Sequence, residues 1–172
     1  HMTFEQIDAY LKKVFNARKI VWLHYGALEG DDTDGHIDTL ARFAPNDTIL
    51  YVGCDDVEDS HYKELKKMER ELKEATNADG KPFRLIKLPF PDAIYDEDGL
   101  RLPATYANFL VTNNHVLVPT YAQPDNDQRA LKLIAEAFPG RRVVGIDCRA
   151  LIKQHGSLHC VTMQLPKGVI EE

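Results

Sequence analysis

The stretch HIDTLARFAPNDTILYVGCDDVEDSHYKELKKMERELKEA (His36–Ala75) decides how the rest of the chain is read. HIDTLARF (His36–Phe43) predicts a strand, Pro45, Asn46 and Asp47 supply turn chemistry, and TILYVG (Thr48–Gly53) predicts the returning arm of a hairpin. A charged helix over Val57–Ala75 follows, with Asn77 and Gly80 as its stop. The same elements recur on both sides. Upstream, TFEQIDAYLKKVF opens on Thr3 with Gln6 three residues later, a capping box, and sets Phe4, Ile7, Leu11 and Val14 on one helical face. KIVWLHY (Lys19–Tyr25) then reads as a buried strand, and the acid-rich loop EGDDTDG (Glu29–Gly35) leads into His36. Downstream come a strand in FRLIKLPF (Phe83–Phe90), a longer loop with Pro91 and Gly99, and TYANFLVT and HVLVPTY about an Asn113-Asn114 turn. A third pass has Leu131, Ile134, Ala135 and Phe138 at helical spacing in Asp125–Phe138, a strand in RRVVGID (Arg141–Asp147), a Gly156 loop, and LHCVTMQLP (Leu158–Pro166) as the last strand.

Three units of helix, strand, loop and strand result, dividing the chain at about 3–55, 56–123 and 124–172. Repeats of this size make stacked or radial units, each burying its face on the next. The strand after each loop carries a reactive or amide side chain near its start: His36, Asn108 and Cys160. A radial arrangement would gather these three at a common centre.

A chain of 172 residues with 44% apolar content suffices for one α/β domain with its own core. No apolar run approaches the roughly 18 to 20 residues that span a bilayer, so no membrane partner is expected. A net charge of −6 without a basic block argues against a nucleic-acid partner and suits a cationic ligand. Three cysteines, an odd number, point to free thiols in a reducing compartment such as the cytoplasm. His1 and Met2 read as a cloning remnant, leaving Thr3 as the first native residue.

Cys160 follows Gly156, Ser157, Leu158 and His159, where small residues let the backbone approach a ligand. A thiol with an ordinary pKa of about 8.5 is mostly protonated at neutral pH, so a nucleophilic Cys160 needs a nearby cation or base. On a strand, His36 and Asp38 share one face, pairing an acid-base group with a carboxylate that either orients it or grips a planar cation through two hydrogen bonds. Each feature also has a plainer reading. A cysteine on a buried strand is commonly a small core residue, which suits Cys54 and Cys148. Asp31, Asp32 and Asp34 suit a solvated loop, and Asn108 a backbone partner. Cys148, His155, His159 and Cys160 lack the paired spacing of a structural zinc site. A thiol protease or acyl transferase using Cys160 and His36, or a binding module without catalysis, stays open on spacing alone.

GDDTDGHIDTLARF (Gly30–Phe43), YANFLVTN (Tyr106–Asn113), VPTY (Val118–Tyr121) and FPGRRVVGIDCRALIKQHGSLHCVTMQLP (Phe138–Pro166) resemble agmatine deiminases and their bacterial, Porphyromonas-type peptidylarginine deiminase relatives. The resemblance implies a pentein, a fan of five αβ modules about a pseudo-fivefold axis, of which this chain would supply about three, the N-terminal modules being absent. It implies Cys160 as nucleophile, His36 as general acid and base, and Asp38 as a guanidinium ligand. Asn108, Gly156 and His159 would line the pocket, and Asp32 in the acidic loop would attract the distal amine of a dication. The implied reaction converts agmatine to N-carbamoylputrescine and ammonia through a thiouronium on Cys160, a step of putrescine biosynthesis. Peptidyl-arginine, giving citrulline, is the second substrate class. No metal or organic cofactor is implied. The chain departs from the family in lacking its N-terminal Trp-x-Arg-Asp-x-Gly-Pro type motif, and Trp22 is expected in the core instead. Little or no activity is therefore expected of the chain alone, together with self-association or association with an N-terminal half.

Overall fold

A computed structural model describes residues 2–33 and 35–169, so the readings placed on His1 and Asp34 lie outside the described residues. Its two three-stranded sheets are built alike. In the first, β1 (Ala41–Ala44) runs antiparallel to β2 (Thr48–Val52), and α2 (Tyr62–Glu74) carries the chain over to β3 (Arg84–Leu88), parallel to β2. In the second, β4 (Leu110–Val111) is antiparallel to β5 (His115–Thr120), and α3 (Pro124–Ala137) crosses to β6 (Arg142–Asp147), parallel to β5. The first hairpin closes through Asn46 and Asp47 at φ 60° and 50°, the left-handed region that their short polar side chains tolerate best. α1 (Phe4–Val14) precedes both sheets, with Thr3 and Gln6 forming the expected capping box.

β2 is the seam between two cores. Its five residues are buried, four of them the run Ile49–Val52 and the first Thr48, whose hydroxyl donates to the Asn46 carbonyl. Ile49 and Tyr51 pack with Leu65, Met68 and Leu72 of α2, while Leu50 joins Leu88, Tyr106, Phe109, Val116, Val118 and Ile134 in the larger core. Each fully buried Leu, Ile or Phe contributes roughly 1.5 to 3 kcal/mol by leaving water. The helix-first divisions at 55 and 123 cut each sheet between its second and third strands, because the hydrogen-bonded unit is hairpin, helix, strand.

Several local expectations change. Lys19–Tyr25 forms no strand: its backbone N–H groups at His24 and Tyr25 go to the Glu71 carboxylate instead of a ladder. Trp22 there is half-buried, its Nε1 donating to Asp8 at 2.9 Å. His36–Phe43 is not one strand. His36 caps a 3-10 turn over Ile37–Thr39, and β1 begins only at Ala41. In Thr105–Thr112 only Leu110 and Val111 pair, and Leu158–Pro166 makes a 3-10 turn over His159–Val161 without a strand. α2 starts at Tyr62, five residues late, because Asp59 accepts the His61 N–H and holds the preceding turn. None of α1 is buried; Phe4, Ile7, Tyr10 and Val14 stay exposed.

Candidate active site

Three distant segments meet at Asn108, whose side chain is wholly buried. Its Nδ2 donates to Asp38 Oδ2 at 2.9 Å and to the Asp38 carbonyl at 3.3 Å. Its Oδ1 accepts from the His159 N–H at 2.8 Å and from Cys160 Sγ at 3.5 Å. One amide thus fixes the 3-10 turn that bears Asp38 against the turn that bears Cys160. Behind it, Thr105 Oγ1 donates to the Thr39 carbonyl at 2.8 Å. Tyr121 Oη accepts from the Thr105 N–H and donates to the Thr105 carbonyl. Its single proton being spent, Ser157 Oγ must be the donor in their 2.9 Å contact. Burial holds the Tyr121 hydroxyl well above the usual phenol range. The geometry of the Cys160 turn is therefore set by buried, satisfied polar groups.

Asp38 does not serve His36 as the strand reading expected. Its Oδ2 meets His159 Nδ1 at 2.7 Å as well as Asn108, and its Oδ1 meets Arg42 at 2.9 Å. Of about four lone-pair sites on a carboxylate, the two on Oδ2 are taken by hydrogen bonds and Oδ1 is ion-paired with Arg42, leaving Oδ1 for a ligand rather than a free two-oxygen grip. Burial pushes the Arg42 guanidinium below its ordinary value, opposed by the charges of Asp38 and Cys160. Arg42 also donates to the Phe109 carbonyl at 3.0 Å and stacks over the Phe109 ring. His36 Nδ1 instead accepts the Asp38 backbone N–H at 3.1 Å, so its neutral ring carries the proton on Nε2.

Cys160 and His36 nevertheless face the same hollow, of about 220 Å³, with Asp32, Thr33, His155 and Gly156 also in its wall. Cys160 is exposed, whereas Cys54 and Cys148 are buried, and burial raises both of those thiols, Cys148 to about 11. Gly156 is needed for packing as much as for access: a Cβ there would sit 3.0 Å from Cys160 Cβ. Asp32 lies in the exposed part of the wall. His159 contacts Asp38 and is absent from the hollow's wall. A larger hollow of about 360 Å³ has Asp55, Lys87, Asp92 and Arg129 in its wall, but Asp55 is already paired with Lys66 and Lys87 and Cys54 there is shielded. Chemistry rather than volume selects the smaller one. Among the described residues no three His, Cys, Asp or Glu side chains converge as metal ligands, and no helix is long and apolar enough to cross a membrane.

Arg42 is missing from the residues singled out in the sequence, and His155 figures there only as a zinc ligand. Arg42 stands four residues after Asp38, but Asp38 lies in a 3-10 turn and Arg42 in β1, so strand spacing does not account for their pairing. Nothing local in the sequence links His155 to Gly30.

With this arrangement in view, the relatives can be placed. The sequence model of the Porphyromonas-type peptidyl-arginine deiminase family matches residues 1–166. A Porphyromonas gingivalis structure provisionally named an arginine deiminase superposes with a TM-score of 0.92 at 54% identity, over 97% of this chain and 49% of that one. C. jejuni agmatine deiminase superposes at 0.84 with 45% identity, over 93% of this chain and 46% of its own. A Marinomonas protein provisionally named an agmatine deiminase is 33% identical over 97% of this chain and 49% of its length. The fold is a partial pentein, the α/β architecture of these deiminases. The chain belongs to the agmatine deiminase and Porphyromonas-type peptidyl-arginine deiminase family, and spans about half the length of the relatives it matches.

Proposed function

We propose that this chain carries the nucleophile-bearing half of a guanidine hydrolase that converts agmatine to N-carbamoylputrescine and ammonia. The observation that supports it most is the meeting of Cys160 and His36 in one hollow, with Asp38 tied to the Cys160 turn through Asn108. The Cys160 thiol passes its proton to His36, and the thiolate attacks the guanidinium carbon. The carbon–nitrogen bond then breaks, the His36 imidazolium protonates the departing nitrogen, and ammonia leaves. A water adds to the thiouronium carbon as His36 takes its proton. Rupture of the carbon–sulfur bond releases the ureido product and returns that proton to the sulfur. In the resting state Nδ1 of His36 holds the Asp38 N–H, so taking a proton there breaks this bond or turns the ring. Asp38 offers its remaining acceptor to the substrate cation, its charge already balanced by Arg42. No metal or organic cofactor has a step to perform. A Cys-to-Ser variant of C. jejuni agmatine deiminase with substrate bound is among the similar structures, which accords with a cysteine nucleophile.

The second reading is a protein-arginine deiminase that makes citrulline. It is favoured by the 54% and 51% identities to proteins provisionally named arginine and peptidyl-arginine deiminases, against 45% to the C. jejuni enzyme. Asp32 in the wall of the hollow, a carboxylate suited to a free distal amine, favours agmatine. Activity of the chain alone is expected to be weak. One further charge-assisted contact to the guanidinium is worth about 2 to 4 kcal/mol, or roughly 30-fold to 1000-fold in rate. A colorimetric ureido assay with agmatine and with an arginyl peptide, on the chain alone and with an N-terminal half added, tests both points. Turnover confined to the peptide would replace the agmatine reading, and full turnover by the chain alone would refute the expected weakness.

A further inference from the structure

His155 joins two walls of the hollow that are 125 residues apart in sequence. Its Nδ1 lies 2.9 Å from the Gly30 carbonyl, and a carbonyl only accepts, so Nδ1 carries the proton. The residue ends the 3-10 turn Ile152–Gln154 at φ 65° and ψ 14°, a left-handed conformation that glycine or asparagine adopts at less cost. A histidine held there by its own long-range hydrogen bond is best explained by what that bond achieves. Gly30 is itself seated at φ 81°, where a β-carbon would fall inside contact distance of the Arg101 carbonyl. The acidic loop is thus tethered at Gly30 by His155 from the Cys160 turn, at a point where it passes too close to the Arg101 carbonyl to carry a side chain. Asp32 and Thr33 follow directly and enter the wall of the hollow beside His155 and Gly156. Asp31 is engaged with Thr33 and Thr39, while Asp32 makes no ion pair among the described residues. Its charge is available to a ligand.

We infer that His155 is a positioning residue for substrate choice: by tethering Gly30 it sets Asp32 at the distance from Cys160 at which the far amine of a guanidine substrate is read. This rests on the guanidine-hydrolase reading above and adds to it the element that discriminates chain ends. A neutral or charged His155 makes the same Nδ1–H bond, so the tether does not depend on its protonation.

The test uses two haloacetamidines that label Cys160, one with an N-(4-aminobutyl) arm and one with an N-butyl arm, and reads only their ratio of second-order rates in each variant. In the unaltered chain the aminobutyl probe is expected to react about tenfold faster than the butyl probe, as one charge pair in a partly screened site allows. His155→Gly frees the loop without straining the backbone. The ratio should fall to within about twofold of unity while the melting temperature stays equal or rises. His155→Asn keeps a donor near the Nδ1 position and tolerates the left-handed backbone, so it should restore the ratio to within about threefold of the starting value. A ratio unchanged in His155→Gly, or no recovery with asparagine, overturns the tether. Absence of any amidine preference over a neutral haloacetamide in the unaltered chain overturns the guanidine-site reading itself, and the inference with it.

Discussion

Replacing Asn108 with alanine should be the most damaging single change near the site. The side chain is wholly buried and holds four groups at once: Asp38 Oδ2 at 2.9 Å, the Asp38 carbonyl at 3.3 Å, the His159 N–H at 2.8 Å and the Cys160 sulfur at 3.5 Å. The bond to the Asp38 carboxylate is charge-assisted and contributes roughly 1.5 to 3 kcal/mol, and the one from His159 roughly 0.5 to 1.5 kcal/mol. The loss is then about 3 kcal/mol, between a fifth and more than half of the 5 to 15 kcal/mol that roughly bounds domain stability. For a chain of this size each kcal/mol moves the melting temperature by roughly 2 to 4 °C, so Asn108→Ala should melt about 6 to 12 °C lower. Circular dichroism on heating, with urea unfolding as a second measure, reads the effect. A shift under about 2 °C would refute the claim that this amide joins the Asp38 and Cys160 turns.

Three further outcomes follow from the same geometry. A thiol reagent at pH 8 should titrate one cysteine quickly in the native chain and three in urea, since Cys54 and Cys148 are buried and their thiols raised by that burial; fast reaction of two or three native thiols would contradict the packing. Burial pushes the Asp59 carboxyl up, but the Arg101 fork and the His61 N–H more than reverse this and hold it at about 2. Because the folded value lies below the unfolded one, its stabilisation is present above about pH 4 and lost as pH falls toward 2. The difference in urea midpoint between the unaltered chain and Asp59→Asn should therefore shrink over that window, and a constant difference would count against the pair. Gly156→Ala should slow alkylation of Cys160 by about tenfold or more, as a methyl group cannot share the space beside its Cβ without shifting the turn; an unchanged rate would show that the turn yields freely.

The helices and the inner strands were legible because their signals are local. Leu65, Met68 and Leu72 recur at helical spacing, and Thr48–Val52 is a short β-rich run bounded by turn residues. Strands without partners were misread, since propensity at Lys19–Tyr25 and Leu158–Pro166 says nothing about whether a neighbouring edge exists. The site was half legible. His36, Asp38, Asn108 and Cys160 do come together, yet the reason first given for pairing His36 with Asp38, a shared strand face, fails in a 3-10 turn. What reshapes that turn is Asp38 bonding to Asn108 and His159, 70 and 121 residues away, and no local pattern records such partners. The tether made by His155, weighed in the sequence only as a zinc ligand, escaped for the same reason: its partner Gly30 lies 125 residues away.

That the hollow shared by Cys160 and His36 takes a guanidinium is the proposal on which the functional account stands. Alkylation by an unsubstituted haloacetamidine, followed by mass-spectrometric mapping of the modified peptide, tests it directly. The modification should fall on Cys160, at a rate at least about tenfold above that of the neutral haloacetamide and lowered by Asp38→Asn. Modification confined to Cys54 or Cys148, or equal rates for the cationic and neutral reagents at Cys160, would contradict it.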